Sequence, residues 1–245
     1  MKKVIFYRYP HPTNVGDNLT QHLLPFFRPD LEFQLVPEQG GGKLLGVGSI
    51  MRVLKEGDLV WGSGIMRETD EFPQAKACKF LAVRGNLTRG ILERYRANVP
   101  QVYGDPALLL PLMYSPTPLI THEVGIIPHF VDEKMLTSRV GDRLAKGRSW
   151  KQINICQDYE NFVNEVLTCK YIISSSLHGL IIAEAYGIPV EWVVLSDKVL
   201  GQGFKFRDYL SGTGRRPQGP GPFPILDPAI LKDRQNGLLK ALKKL

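Results

Sequence analysis

Apolar residues fall into two kinds of run along the chain. Val4–Tyr9, Glu32–Val36, Leu44–Val47, Leu59–Trp61 and Phe80–Val83 are short and have the make-up of strands. Between them the apolar positions recur at helical spacing. Asp17–Pro25 opens one helix, and Asn86–Arg96 forms another with Leu87, Ile91 and Tyr95 along one face. Gln101–Tyr103 reads as a further strand. Ser115-Pro116-Thr117-Pro118 is the best candidate for a linker. Beyond it the rhythm returns, with strands at Val124–Ile127, Lys151–Ile155, Tyr171–Ile173 and Val190–Leu195. Helices fall at Asp158–Thr168 and at Leu177–Tyr186, the second stopped by Gly187 and Pro189. This alternation predicts an α/β protein with parallel sheets and helices on both faces. The expected arrangement is two Rossmann-like halves, 1–115 and 120–245, facing each other across a cleft. Gly212–Pro224 reads as an irregular loop, and Asp227–Leu245 as a helix with Asp227 at its N-cap and Pro228 at its first position. No sustained repeat is visible in the sequence.

The 245 residues, 43% hydrophobic and 22% charged, suit a soluble globular protein with an ample core. A formal charge of +7 points to an anionic partner, which could be a phosphate compound, an acidic membrane surface or nucleic acid. The basic residues are scattered and form no basic–aromatic recognition module, so nucleic acid is not expected. Cys78, Cys156 and Cys169 are too far apart for a metal knuckle or a redox pair; reduced thiols are expected, and no metal site. The first apolar run is too short for a signal peptide, and no stretch is long enough to span a membrane. The protein is expected in the cytoplasm, able to work at the inner face of the cytoplasmic membrane. One feature favours that surface. Leu231, Leu238, Leu242 and Leu245 line one side of the last helix, with Lys232, Arg234, Lys240, Lys243 and Lys244 around them against Asp233 alone. Such a helix can lie in a bilayer interface or pack its leucines on the body of the protein.

Chemistry concentrates where strands end. Ser174-Ser175-Ser176-Leu177-His178-Gly179 follows an apolar strand and opens a helix. Its hydroxyls and free N–H groups form a seat for phosphate or carboxylate, or simply a cap, and His178 stands in the first turn. Asn14-Val15-Gly16-Asp17 follows the first strand; Gly16 permits close approach, and Asp17 is a cap or a base. Gly46-Val47-Gly48-Ser49 and Trp61-Gly62-Ser63-Gly64 are small-residue turns of the same kind. Arg84, between a strand and a helix, is either a surface arginine or a bidentate clamp for an anion. Tyr103-Gly104-Asp105-Pro106-Ala107 places Asp105 where it can cap a turn. His129 ends a strand at the same edge as the other motifs. Gly203-Phe204-Lys205-Phe206-Arg207-Asp208-Tyr209 puts two cations beside aromatics.

In this order, from Asn14 to about Ser211, the motifs resemble the polysaccharide pyruvyl transferase family. The likeness is carried by Asn14–Asp17, Gly46–Ser49 with Trp61–Gly64, Arg84–Thr88, Gly104–Ala107 and Ser175–Gly179. The run from Phe204 to Tyr209 is similar to the subgroup acting on exopolysaccharides and capsules. Thr13 departs from the pattern, since many members carry glycine there, and the chain is short for the family. The resemblance implies a two-domain, glycosyltransferase-B-like arrangement with the donor site in the second half. The donor would be phosphoenolpyruvate, with no further cofactor, and the acceptor a sugar of a polysaccharide or its lipid-linked precursor. It also implies His178 as general acid and Asp17 as base toward the acceptor. Arg84 would hold the donor together with Lys205 or Arg207, and Ser175, Ser176, Asn14, Gly16, Gly48, Gly62, Ser63 and His129 would line the site. Two other readings stand beside it: a nucleotide-sugar glycosyltransferase using the same cleft, and a non-catalytic sugar-binding protein of a polysaccharide assembly complex.

Overall fold

The structure, a computed structural model, describes residues 2–11 and 14–245; Thr13 lies outside them. The first half runs β1 (Lys2–Tyr7), α1 (Val15–Phe27), β2 (Leu31–Leu35), β3 (Leu44–Leu45), β4 (Leu59–Trp61), β5 (Lys79–Ala82), α2 (Asn86–Arg94) and α3 (Leu110–Met113). The second runs β6 (His122–Ile127), α4 (Ser138–Ala145), β7 (Trp150–Gln152), α5 (Tyr159–Val166), β8 (Cys169–Ser174), α6 (Leu177–Ala185), β9 (Val190–Trp192), α7 (Phe204–Gly212), β10 (Gly221–Pro222) and α8 (Pro228–Leu242). Each half holds a five-stranded sheet, ordered β2-β1-β3-β4-β5 and β10-β9-β8-β6-β7. Among the described residues, every pairing between these strands is parallel except that of β10 with β9. Read from β7, the second sheet has the strand order of the first. The structure thus carries a topological repeat that the sequence does not display.

In open parallel sheets ligands bind beyond the carboxyl ends of the strands, at the point where the winding reverses. Here the two reversals lie between β1 and β3 and between β6 and β8. The four strand ends concerned carry Asn14–Asp17, Gly46–Ser49, His129 and Ser174–His178. Local signals start the helices that follow. Asn14 caps α1 by accepting from Asp17 N, Asp158 caps α5 through Asn161 N, and Asp227 caps α8 ahead of Pro228. The halves are also joined directly: Val15 N donates to Ile155 O, and the largest apolar cluster draws side chains from both.

Several expectations are corrected. Gln101–Tyr103 is not a ladder strand; Tyr103 makes a single parallel bridge to Val83. Strand ends differ by one to three residues in several places, and α4 and α7 replace segments read without structure. The C-terminal helix belongs to the protein's own core. On its Leu238 side α8 lies over the first half, where Trp61 Nε1 donates to Leu238 O and Gln235 Nε2 to Leu108 O, at 2.9 and 2.8 Å. Arg28 Nη1 donates to Leu242 O. Leu238, Ala241, Leu242 and Leu245 are buried. The leucines proposed to enter a bilayer are therefore already packed, and the exposed side carries Lys232, Lys240, Lys243 and Lys244 together with Asp233 and Asn236. No helix among the described residues is long and apolar enough to cross a membrane.

Candidate active site

Both winding reversals open onto one cavity of about 430 Å³. The first half contributes Asn14, Asp17 and Ser49 to its lining, and the second contributes His129, Ser176, Leu177 and His178. Lys205 of α7 reaches it from behind, and Arg52, Arg67 and Lys198 also line it.

His178 sits in the first turn of α6 with 11% of its side chain exposed. Its ring packs directly on Gly16, where an added Cβ would stand 1.9 Å from Nδ1. The glycine of the Asn14–Asp17 motif is thus required by the histidine of the Ser175–Gly179 motif, across the two halves. Gly48 adopts a φ of +110°, and a Cβ there would come within 4.0 Å of both the His178 ring and Asp17. Burial raises the pKa of Asp17 above the usual carboxylate range, while His178, His11 and Lys205 act in the opposite direction. A buried carboxylate so raised beside an imidazole suits a base for a hydroxyl proton. On the other side of the ring, Asp105 is fully buried, and its Oδ2 lies 3.7 Å from His178 Nε2.

The three serines divide their work. Ser174 Oγ donates to Ile127 O and accepts from Ser176 N. Ser175 Oγ donates to the buried Asp132 at 2.7 Å and accepts from His129 N at 2.9 Å, so it braces the site rather than facing it. Asp132 also accepts from Ser196. Ser176 lines the cavity with no cap bond to its own helix, which leaves its hydroxyl and the α6 N-terminus open to an anion. His129 lines the cavity as well. Burial, with Lys205 and His178 nearby, lowers its pKa to about 3, so the ring stays neutral, accepting from Val131 N.

Arg84 is a correction. It is 0% exposed and does not line the cavity. Nε bonds Asp208 Oδ2 at 2.9 Å, Nη1 bonds Ser49 Oγ at 2.5 Å and Nη2 bonds Ile65 O at 2.8 Å. Asp208 also accepts from the amide and the hydroxyl of Thr88, each at 2.7 Å. The Arg84–Thr88 motif is therefore a receptor for Asp208 of α7, and it holds no free guanidinium for a donor. At Gly85 an added Cβ would fall 1.8 Å from Asp208 O, so α7 lies directly on this turn. Phe204 joins the first half's core, and Phe206 stacks on Trp192 of the second at 4.3 Å. Between them Lys205 is 6% exposed and lines the cavity; its ammonium lies 5.7 Å from the Phe206 ring centroid. Burial, reinforced by Arg84, lowers its pKa to about 8, against the pull of Asp17 and Asp132. Arg207 points elsewhere and donates to Gln202 O. Of the two cations proposed to share the donor, only Lys205 faces the site.

Gly62 and Ser63 are likewise structural. Gly62 takes a φ of +82° against Pro106, and Ser63 Oγ donates to Gly48 O. Sequence reasoning passed over Asp132 and the lining cations Arg52, Arg67 and Lys198. Nothing local marks them, since their positions depend on loops folding back toward the cavity. Asp105 was read only as a cap, a role it does fill by accepting from Ala107 N.

The chain resembles known proteins in both family and sequence. Residues 60–196, more than half of the chain, match the family model described as polysaccharide pyruvyl transferase. The chain is also 34% identical over 179 residues to an uncharacterized protein of Acanthamoeba polyphaga mimivirus. That alignment covers 69% of this chain and 59% of the viral protein, so the chain spans less than two thirds of that relative's length.

Proposed function

Because the chain belongs to the polysaccharide pyruvyl transferase family, we propose that its cavity moves the pyruvyl group of phosphoenolpyruvate onto two hydroxyls of a sugar, releasing phosphate. The sugar is part of a polysaccharide or of its lipid-linked precursor. The observation that carries this reading is the convergence of His178, Asp17 and Lys205 on one cavity, beside the open N-terminus of α6. Two like-ordered sheets meeting at their winding reversals support a glycosyltransferase-B-like arrangement.

The chemistry follows from the charges. Lys205, Ser176 and the α6 N–H groups hold the donor's carboxylate and phosphate. His178, protonated when the anionic donor arrives, delivers its proton to the methylene carbon, and the neighbouring carbon becomes electrophilic. The first sugar hydroxyl attacks that carbon and gives its proton to Asp17. The second hydroxyl attacks as the carbon–oxygen bond to phosphate breaks, and its proton leaves with the phosphate. Passing the first proton from Asp17 to His178 resets the site. His129, held neutral, accepts hydrogen bonds without competing for the anion.

The test is phosphate release from phosphoenolpyruvate over a panel of synthetic and lipid-linked glycosides, with the product's ketal identified by NMR. His178→Gln is expected to lower turnover about 100- to 10,000-fold with the fold intact. Near-normal turnover in that variant removes His178 from the mechanism. Consumption of a nucleotide sugar in place of phosphoenolpyruvate replaces pyruvyl with glycosyl transfer.

A further inference from the structure

Asp105 and His178 face each other with matching vacancies. Asp105 Oδ1 is committed to Ala107 N, whereas Oδ2 is buried with no hydrogen-bond partner among the described residues. His178 Nε2 is also buried without a partner among them, and the two atoms are 3.7 Å apart. Leaving a buried acceptor unmatched is costly, and folded proteins rarely tolerate two such atoms side by side without a use for them. Among the described residues nothing else serves Asp105 Oδ2. The nearby Tyr209 hydroxyl donates to Glu184 at 2.7 Å. The other titratable groups around the ring are Asp17, His129 and Lys205, all of which line the cavity.

We propose that Asp105 is the positioning residue for His178: it keeps the imidazole proton on Nε2 and presents Nδ1, the nitrogen beside Gly16, to the reacting atoms. The reason is the environment of each nitrogen. Nε2 is buried toward a carboxylate that can only accept, so the neutral ring carries its hydrogen there. Nδ1 packs on Gly16, whose missing side chain makes room for the ring, and unlike Nε2 it is not among the buried atoms left without a partner. When the ring takes a second proton at Nδ1, Asp105 faces an imidazolium and stabilises it without itself being protonated. Uncomplexed sites often hold such contacts long, and closing a few tenths of an ångström completes this one. The catalytic consequence rests on the pyruvyl-transfer reading; the proton's location does not.

The test is Asp105→Asn in the full chain. The amide oxygen can still accept from Ala107 N, so the cap survives, but the amide N–H₂ now faces Nε2 and repels a proton there. Long-range proton–nitrogen NMR on protein labelled at histidine nitrogens reads which ring atom is protonated. The expected result is Nε2–H in the neutral wild-type ring and Nδ1–H in the variant. Alongside it, kcat should fall about 100- to 10,000-fold with KM for phosphoenolpyruvate little changed. A folded variant that keeps Nε2–H overturns the proposal. If the variant does not fold, the wild-type spectrum decides alone, and Nδ1–H there also overturns it. A wild-type protein that shows Nε2–H yet releases no phosphate from any acceptor would instead sink the pyruvyl-transfer reading and leave the positioning role standing.

Discussion

Helix α7 carries two buried ions less than one turn apart, and their neighbours treat them differently. Asp208 receives Arg84 and Thr88 in a network buried from solvent. Lys205 is nearly as buried but has no carboxylate partner within salt-bridge distance among the described residues, and its pKa is depressed. The first ion is satisfied by the fold; the second lines the cavity without such a partner, where the proposed donor would meet it. Burial alone therefore does not distinguish a structural ion from a binding one. What separates them is whether the neighbours already neutralise the charge.

The comparison breaks most visibly at Arg84. Arg84→Ala leaves Asp208 buried and unpaired, which costs about 3–5 kcal/mol. The expected result is a strongly lowered melting temperature, with loss of donor binding only as a result of unfolding. A stable Arg84→Ala protein with selectively weakened donor affinity would restore the clamp role. Lys205→Met should act in the opposite direction: the melting temperature holds or rises, because a desolvated cation is gone, while affinity for phosphoenolpyruvate falls about 10- to 150-fold, the equivalent of one charge-assisted contact of roughly 1.5–3 kcal/mol. Calorimetry on both variants places stability and affinity side by side. If Lys205→Met destabilises as Arg84→Ala does, the two buried ions of α7 are alike after all.

A subtler distinction lies in pH. Lys205, with its pKa lowered to about 8, loses its charge as pH rises through that value. Donor affinity should therefore be full below about pH 7 and weaken progressively toward pH 9, although a bound dianion delays the loss by favouring the charged lysine. An affinity that stays flat to pH 9.5 would remove Lys205 from the anion site. Smallest of all is Arg207→Ala. That side chain reaches Gln202 O rather than the cavity, so stability should change by less than about 0.5 kcal/mol and donor affinity not at all.

Much of this was legible in the sequence, though unevenly. Motifs at strand ends were readable because a βα turn announces itself in a few adjacent residues. Asn14–Asp17 and Ser174–His178 accordingly fall at the winding reversals. Partnerships were not readable, because they join distant segments: Arg84 meets Asp208 from 124 positions away, and His178 needs the bare face of Gly16. The helix α7 was missed because it begins after Gly203, at positive φ with no side-chain cap, and alternates aromatic with basic residues in a pattern nearer to a strand's. In the last helix the leucine spacing was seen correctly. The sequence could not say which surface it meets, since the same stripe suits a bilayer or the Trp61 side of the first half.

The return of α8 over the first half bears on how the chain is made. During synthesis β1 to β5 leave the ribosome long before residues 228–242, so the surface that receives Leu238 and the indole N–H of Trp61 stays uncovered until the tail arrives. The first half therefore completes its packing last although it is translated first, and in the interval its apolar surface is open to chaperones and to aggregation. For the same reason a fragment ending at the linker is a poor choice for recombinant expression.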